Sequence, residues 1–419
     1  MSQTKDIIRF SIARLTGIIL RTWRHVDRRT TPSGLVYAPF VPGSLGDMAM
    51  VIATAEYLRS HGFERVSIAS FGEPRQWHLS QGLEFTRIPG WASSGFLHEQ
   101  WWLTSVLYSH THCFIVGADV MDGAYGVDPV QSRLLTAHLA SIAGLKTTIL
   151  GLSFSERATS WAKKSWHRLS HRVQVCVRDP QSYARLSILL RRPPRLVADV
   201  AFLLNPGIVS DAGRAAFEWV EERRLQCKEI IAINIGKHSL RNLTKNNPDL
   251  QTLDNALDYI ADSLRFVAKE NKRICFVLIP HDFREPNSDY ELLRKIQVLL
   301  DADQLCSFLV SDGLGPKDVK ALLQSCDLLF TGRMHAAIAS IGVCTPTLAL
   351  GYLDKFEGLF QMIQLPQLVV DARKINCNDA KELGIRMLDL LDNADGVRTK
   401  LIGSLATLKQ FAIGNFDNV

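Results

Sequence analysis

From residue 34 onward, short apolar runs alternate with longer stretches of helical period. GLVYAPFVPG (34–43) predicts a strand running into a glycine loop, and DMAMVIATAEYLRSHG (47–62) a helix that closes on a glycine. ERVSIASFG (64–72), HCFIVGAD (112–119), TTILGLSFSE (147–156), VQVCVRD (173–179) and RLVADVAFLL (195–204) predict further strands. QSRLLTAHLASIAGLK (131–146) and SYARLSILLR (182–191) predict helices between them. NPGIVSDAG (205–213) carries turn residues and reads as a linker, after which the alternation restarts. KEIIAINIG (228–236), RICFVLIPHD (273–282), DLLFTG (327–332) and TPTLALGY (345–352) are strands of a second set. The helices 214–226, 252–270, 289–300, 315–327 and 334–343 separate them. Such alternation implies α/β architecture with mainly parallel sheets. The expectation is two Rossmann-like domains facing a cleft, residues 34–206 and 207–419, with the final helix crossing back. In such sheets ligands bind beyond the carboxyl ends of the strands.

Residues 1–33 stand apart. Within 5–29, Ile7, Ile8, Ile12, Leu15, Ile19 and Trp23 fall near one helical face, with Arg9, Arg14, Arg21, Arg24, Arg28 and Arg29 among them. Charges interrupt the segment well before the ~20 apolar residues of a membrane span, and no small-residue cleavage site follows. Two readings stay open: an amphipathic helix lying on an anionic membrane, or one packed on the protein's own surface.

Composition narrows the class. Of 419 residues, 47% are hydrophobic and 21% charged, which excludes a disordered, collagen-like or multi-span membrane chain. Lys+Arg 48 against Asp+Glu 42 leaves +6, too little and too scattered for a nucleic-acid partner. The eight cysteines form no CxxC pair, and several sit in apolar runs. They read as small buried hydrophobes of a reducing compartment, so a cytoplasmic location is expected, peripheral on the membrane if the first helix binds it. No metal-ligand cluster is written in the sequence.

The chemistry concentrates in residues 327–358, DLLFTGRMHAAIASIGVCTPTLALGYLDKFEG. Gly332 permits a tight turn, the amides that follow open a helix, and such a terminus attracts anions. Arg333 suits bidentate binding of phosphate or carboxylate, and His335 exchanges a proton near neutral pH. An exposed Arg and a His satisfied by backbone groups would be the structural alternative. His281 and Asp282 end a strand and either face the cleft or cap a turn. Asp47 either caps a helix beginning at Met48 or serves as a base toward a hydroxyl. Asp119 and Asp122 suit sugar hydroxyls or Asx turns. Lys237 and His238 follow a strand-ending Gly236. Trp77, Trp91, Trp101 and Trp102 suit either packing or stacking on a sugar or lipid.

In this stretch the chain resembles the polysaccharide pyruvyl transferase family, through Arg333, His335, Gly342, Thr345-Pro346, Tyr352 and Lys355. SLGD (44–47), VCVRDPQSYARL (175–186), VADVAFLL (197–204) and LIPHD (278–282), with Asn287 and Asp289 following, extend the resemblance over roughly residues 34–375. The chain departs from the pattern at Ser44, where Asn is familiar, and at Gly117-Ala118-Asp119 and Met121-Asp122-Gly123, where many members have a glycine run. The resemblance implies a GT-B-like fold and transfer of pyruvate from phosphoenolpyruvate to two hydroxyls of one sugar as a cyclic ketal. It implies phosphoenolpyruvate as co-substrate without a further cofactor, and a sugar nucleotide, lipid-linked sugar or oligosaccharide as acceptor. Arg333, Arg178, Lys355 and Gly332 become donor-binding candidates, His335 with Arg333 catalytic candidates, and Asp47, Asp119, Asp122 and His281 acceptor-side candidates. Two other functions fit parts of the sequence: a heptosyltransferase-like GT-B enzyme using a nucleotide sugar, suggested by residues 43–62, and a non-catalytic glycan-binding or scaffold member.

Overall fold

The computed structural model describes residues 3–26, 31–77, 82–89, 91–245, 250, 252–286, 288–375 and 380–417. The side chains of Gln3, His25, Val26, Arg75, residues 91–94 and Leu97 are outside this description, as is Asn287. The chain divides into two compact units, one drawing on Met1–Pro42, Met50–Leu203 and Lys409–Val419, the other on Gly43–Ala49 and Leu204–Leu408.

In the first unit the described strands are β1 (Ser33–Ala38), β2 (Arg65–Ser70), β3 (Glu84–Arg87), β4 (His112–Ile115), β5 (Lys146–Leu152), β6 (Gln174–Val177) and β7 (Arg195–Leu196). They form one parallel sheet in the order β3-β2-β1-β4-β5-β6-β7. Its helices are α1 (Gln3–Val26), α2 (Leu45–Ser60, whose first turn counts with the other unit), α3 (Trp91–Tyr108), α4 (Val127–Ile142), α5 (Ser160–Trp166) and α6 (Pro180–Leu189). Strand β1 is buried at every position, as a central parallel strand covered on both faces must be. The predicted strand 195–204 is shorter than its apolar run suggests: pairing stops at Leu196, and Val200–Leu203 winds into a 3₁₀ turn in which Asp199 accepts from the Ala201 amide at 2.8 Å. The end of the chain is built into this unit. Asn415, fully buried, accepts from Gly151 N at 2.7 Å and donates to Ala198 O at 3.0 Å.

The second unit holds β8 (Glu229–Asn234), β9 (Ile274–Leu278), β10 (Ser307–Leu309), β11 (Leu328–Thr331), β12 (Thr347–Gly351) and β13 (Val369–Asp371). Among the described residues they pair in parallel as β10-β9-β8-β11-β12-β13. Its helices are α7 (Asp211–Leu225), α8 (Lys237–Lys245), α9 (Leu253–Glu270), α10 (Tyr290–Ala302), α11 (Pro316–Gln324), α12 (Met334–Ile341), α13 (Asp354–Met362), α14 (Ala380–Asp392) and α15 (Ala394–Ile413), whose end belongs to the first unit. Numbered within the unit, the strand order is 3-2-1-4-5-6, the doubly wound Rossmann order. The chain reverses direction across the sheet between β8 and β11. That reversal creates a crevice at their carboxyl ends.

Candidate functional site

The site residues of the second unit gather at this switch point. Strand β8 ends in Asn234, and Gly236 leads into α8; β11 ends in Thr331, and Gly332 leads into α12. The two turns pack too closely for side chains. A Cβ on Gly332 would lie 2.2 Å from Ser239 Oγ, and one on Gly236 would lie 2.6 Å from Arg333 Nε. Gly332 N donates to Asn234 O at 2.9 Å, and Thr331 Oγ1 donates to Asn234 Oδ1 at 2.9 Å. The glycine predicted for a tight turn therefore serves close approach of two backbones.

Arg333 is the N-cap of α12 and keeps an extended backbone. Its guanidinium is fixed by two buried carboxylates. Nη2 donates to Asp289 Oδ1 at 2.5 Å, Nε lies 3.2 Å from both Asp289 oxygens, and Nη1 donates to Asp282 Oδ2 at 3.3 Å. Burial opposes the charge of Arg333, yet Asp289 and Asp282 hold its pKa above the ordinary value. Asp289 is 0% exposed and also accepts from His281 N at 3.1 Å and Asn234 Nδ2 at 3.2 Å. Burial pushes its carboxyl above the usual range, against the pull of Arg333. The Arg333 side chain is 18% exposed and lies beside the first amides of α12, which have no intrahelical acceptor.

His335 sits half-buried in the first turn of α12. A Cβ on Gly46 would fall 2.3 Å from its Cγ and Nδ1, so only glycine admits the ring there. This places the SLGD turn: residues 43–49 belong by their contacts to the second unit, whereas the sequence order assigned them to the first. The reason is backbone pairing. Leu45 N donates to His281 O at 3.0 Å, Phe283 N to Gly43 O at 2.8 Å, and Ser44 forms a bridge with Asp282. The helix starts at Leu45, before the expected Met48. Ser44 Oγ accepts from Asp47 N at 3.4 Å, so Ser44 takes the capping role expected of Asp47. The Asp47 carboxylate instead lies 3.5 Å from Arg284 Nη1. Arg284 also grips Asp282, with Nε–Oδ1 at 2.9 Å and Nη2–Oδ2 at 2.8 Å.

His281 is 5% exposed, and burial, with His335 and Arg333 nearby, drives its pKa down to about 3. It is a neutral imidazole, and its backbone groups tie Asp289 to the SLGD turn. Lys355, in the first turn of α13, holds Nζ 5.8 Å over the Tyr352 ring, which in turn stacks with His238 at 6.4 Å. Lys237 donates to Pro286 O at 3.0 Å, a loop contact. Among the described residues no group of three or more His, Cys, Asp or Glu side chains gathers as a metal site.

The remaining candidates lie in the first unit. Arg178 follows β6, but its guanidinium is 1% exposed, paired with Asp199 and donating to Ser153 Oγ at 3.0 Å. Its neighbours in the VRDPQS motif do local work: Asp179 caps α6 by accepting from Ser182 N at 2.7 Å. Asp122 is 3% exposed and makes the Asx turn, accepting from Ala124 N at 2.9 Å. Asp119 is half-buried and follows Ala118, whose φ of 52° lies in the left-handed region. Within Gly117-Ala118-Asp119 the left-handed position, which suits glycine best, is thus held by an alanine. Trp77 is fully buried, whereas Trp101 is 71% exposed. Sequence reasoning overlooked Asn234 and Arg284 and gave Asp289 no role. The only sequence signal for Asn234 is an amide that ends the apolar run IIAIN.

Two units of this Rossmann-like, parallel α/β architecture are the build of the GT-B fold. Solved structures of that fold match nearly the whole chain. UDP-GlcNAc 2-epimerase from Neisseria meningitidis, bound to UDP-GlcNAc, is 10% identical over 92% of this chain and 100% of its own, with TM-score 0.54. Anabaena HepE, in complex with UDP and glucose, is 11% identical over 92% and 100%, with TM-score 0.52. A glycosyltransferase from Rickettsia africae is 13% identical over 93% and 100%, with TM-score 0.52. At these identities the likeness shows the fold alone. A family model described as polysaccharide pyruvyl transferase matches residues 45–354, and the chain belongs to that family. It is a transferase family, and the matched span begins at the turn that packs on His335 and ends just before Lys355.

Proposed function

We propose that this protein transfers pyruvate from phosphoenolpyruvate to two hydroxyls of one sugar, forming a cyclic ketal and releasing phosphate, in the assembly of a bacterial-type polysaccharide or glycolipid precursor in the cytoplasm. The observation that carries the reading is Arg333: a guanidinium locked by Asp289 and Asp282, beside a helix N-terminus and two residues before His335, in a chain of the pyruvyl transferase family. The donor is a small, multiply charged anion. It needs a rigid fork and oriented amides more than bulk positive charge. Arg333 and the amides after Gly332 would hold its phosphate or carboxylate, with Lys355 a further cation. Arg178, the other donor candidate, would bind an anion only by leaving Asp199.

The chemistry balances without a cofactor. The enol carbon gains a proton and becomes methyl, the first sugar oxygen bonds to the neighbouring carbon, and the second sugar oxygen then displaces phosphate. Of the two hydroxyl protons, one is matched by the new C–H bond and one by the phosphate released. This reading assigns the proton movement to His335, in the first turn of α12 two residues after Arg333. Asp47, Asp119, Asp122 and His281 are the acceptor-side candidates of this reading, with the burial of His281 limiting it to hydrogen bonding.

The test is phosphate release and a product mass gain upon incubation with phosphoenolpyruvate and a panel of sugar nucleotides, lipid-linked sugars and oligosaccharides. Folded Arg333→Ala and His335→Ala proteins should lose the activity; full activity in both would refute the site. One observation favours a second reading: structures of the same fold hold UDP or UDP-GlcNAc. Thermal-shift titration separates the two, because a ligand stabilises the state it binds. Stabilisation by phosphoenolpyruvate supports ketal formation, and stabilisation by a nucleoside diphosphate alone supports glycosyl transfer.

A further inference from the structure

The first helix carries a surface that the reaction does not use. Its inner stripe, including Asp6, Phe10, Ala13 and Leu20, is buried against the first unit. Three anchors keep it there. Near its start Asp6, 1% exposed, accepts from Gln131 Nε2 at 3.1 Å and Ser165 Oγ at 2.9 Å and pairs with Arg168 at 3.1 Å. At mid-length a Cβ on Gly17 would lie 2.9 Å from Ile142 of α4. Near its end Arg24 donates to Leu107 O at 2.7 Å and Tyr108 O at 3.1 Å, closing α3. A helix fixed at both ends and in the middle does not roll its other side inward.

That other side is apolar. Ile7, Ile8, Leu15, Ile18, Ile19 and Trp23 are between 45% and 63% exposed. At 100° per residue they share one broad face opposite the buried stripe, with Leu15 at its centre. Trp101 of α3, 71% exposed, extends the surface. Together with Leu20, Trp23, Thr104, Ser105 and Tyr108 it lines an apolar groove of about 290 Å³. A helix apolar on both sides normally lies in a protein core or against lipid. Here one side has the protein and the other has solvent.

Charge identifies the occupant. Lys5, Arg14 and Arg21 border the outer face, while the one carboxylate within α1, Asp6, is buried beneath it. The exposed surface therefore carries positive charge and no negative charge of its own. A second copy related by a twofold axis would bring these cations against their own equivalents. We propose that the outer face of α1, with Trp23 and Trp101, docks the protein on an anionic lipid bilayer, the helix lying in the interfacial plane with its apolar residues among the acyl chains and its cations at the headgroups. No helix among the described residues is long and apolar enough to cross a membrane, so this contact is peripheral.

Flotation of the full chain with vesicles tests it independently of the ketal reaction. The protein should float with vesicles containing phosphatidylglycerol and much less with pure phosphatidylcholine, and salt should weaken the binding. Leu15→Glu combined with Ile19→Glu replaces two exposed side chains, so the circular-dichroism melt should be kept while partition falls at least about tenfold. Arg14→Glu with Arg21→Glu should cost about tenfold or more on the anionic vesicles only. Failure to float at low salt, or flotation of the Leu15→Glu/Ile19→Glu protein like the wild type, would overturn the proposal. So would a stable dimer in sedimentation velocity that those two substitutions dissociate.

Discussion

Asp289→Asn is the sharpest probe of the site, because it changes charge with almost no change of shape. The carboxylate is 0% exposed and meets Arg333 at 2.5 Å and 3.2 Å, so the guanidinium depends on it for most of its compensation. The substitution leaves the Asp282 contact at 3.3 Å and replaces an acceptor by an amide that cannot accept at both positions. Breaking a buried pair from one side costs about 3–5 kcal/mol; the remaining Asp282 contact and the retained acceptor oxygen put the expectation near the lower end, about 3 kcal/mol. Urea denaturation of the wild type and variant measures it. A double-mutant cycle with Arg333→Met should return most of that energy as coupling, since the pair is then absent on both sides. Activity follows from geometry. On the proposed function, in which Arg333 binds the donor, a positioning group displaced by roughly 1 Å loses about 10²-fold in rate, so kcat/KM for phosphate release should fall by that order at a temperature where the variant is fully folded. If Asp289→Asn loses less than about 1 kcal/mol and keeps wild-type kcat/KM, then the buried carboxylate is not what holds Arg333, and the site as described fails.

Three further outcomes follow from the coordinates. Gly46→Ala puts a methyl 2.3 Å from the His335 ring, so stability should fall by about 1–3 kcal/mol, and phosphate release at least tenfold, in a protein that still binds phosphoenolpyruvate by thermal shift; wild-type turnover would show that ring and turn do not meet. Ala118→Gly relieves a left-handed alanine at φ 52°, and after glycine's greater flexibility is counted it should raise stability by about 0.5–1 kcal/mol, read as a higher Tm. Burial lowers the pKa of His112 to about 4, His138 to about 4 and His281 to about 3. Each folded pKa lies below the unfolded one, so the unfolded chain takes up protons first as pH drops. Stability should be full above pH ~6.5 and fall toward pH 4 by up to about 1.4 kcal/mol per pH unit for each histidine. His138→Phe should flatten that acid limb by one histidine's share; an unchanged slope between pH 7 and 5 would contradict the assignment.

The central strands were legible in the sequence because each is an apolar run cut off by glycine or a charged residue, whereas the short edge strands β3 (EFTR), β10 (SFL) and β13 (VVD) carry too little of that pattern and were not expected. The turn at Gly332, Arg333 and His335 was legible for the same reason. What escaped was the set of partners that gives the turn its chemistry. Arg333 is held by a carboxylate 44 positions away, and no local pattern links the two. Worse, Asp289 stands immediately before a helix, where an Asp ordinarily caps the chain it precedes. In the structure it makes no such cap bond: its oxygens face Arg333, the His281 amide and Asn234. The local preference is overridden by a long-range charge pair. The same competition places residues 43–49, which follow β1 in sequence but are hydrogen-bonded to the loop after β9. An Asp that sits at a cap position and does not cap is therefore informative once the fold is known. The helix forgoes about 1 kcal/mol of capping, and a buried carboxylate that gives this up while facing a guanidinium at the crevice between β8 and β11 is committed to holding that guanidinium in one orientation.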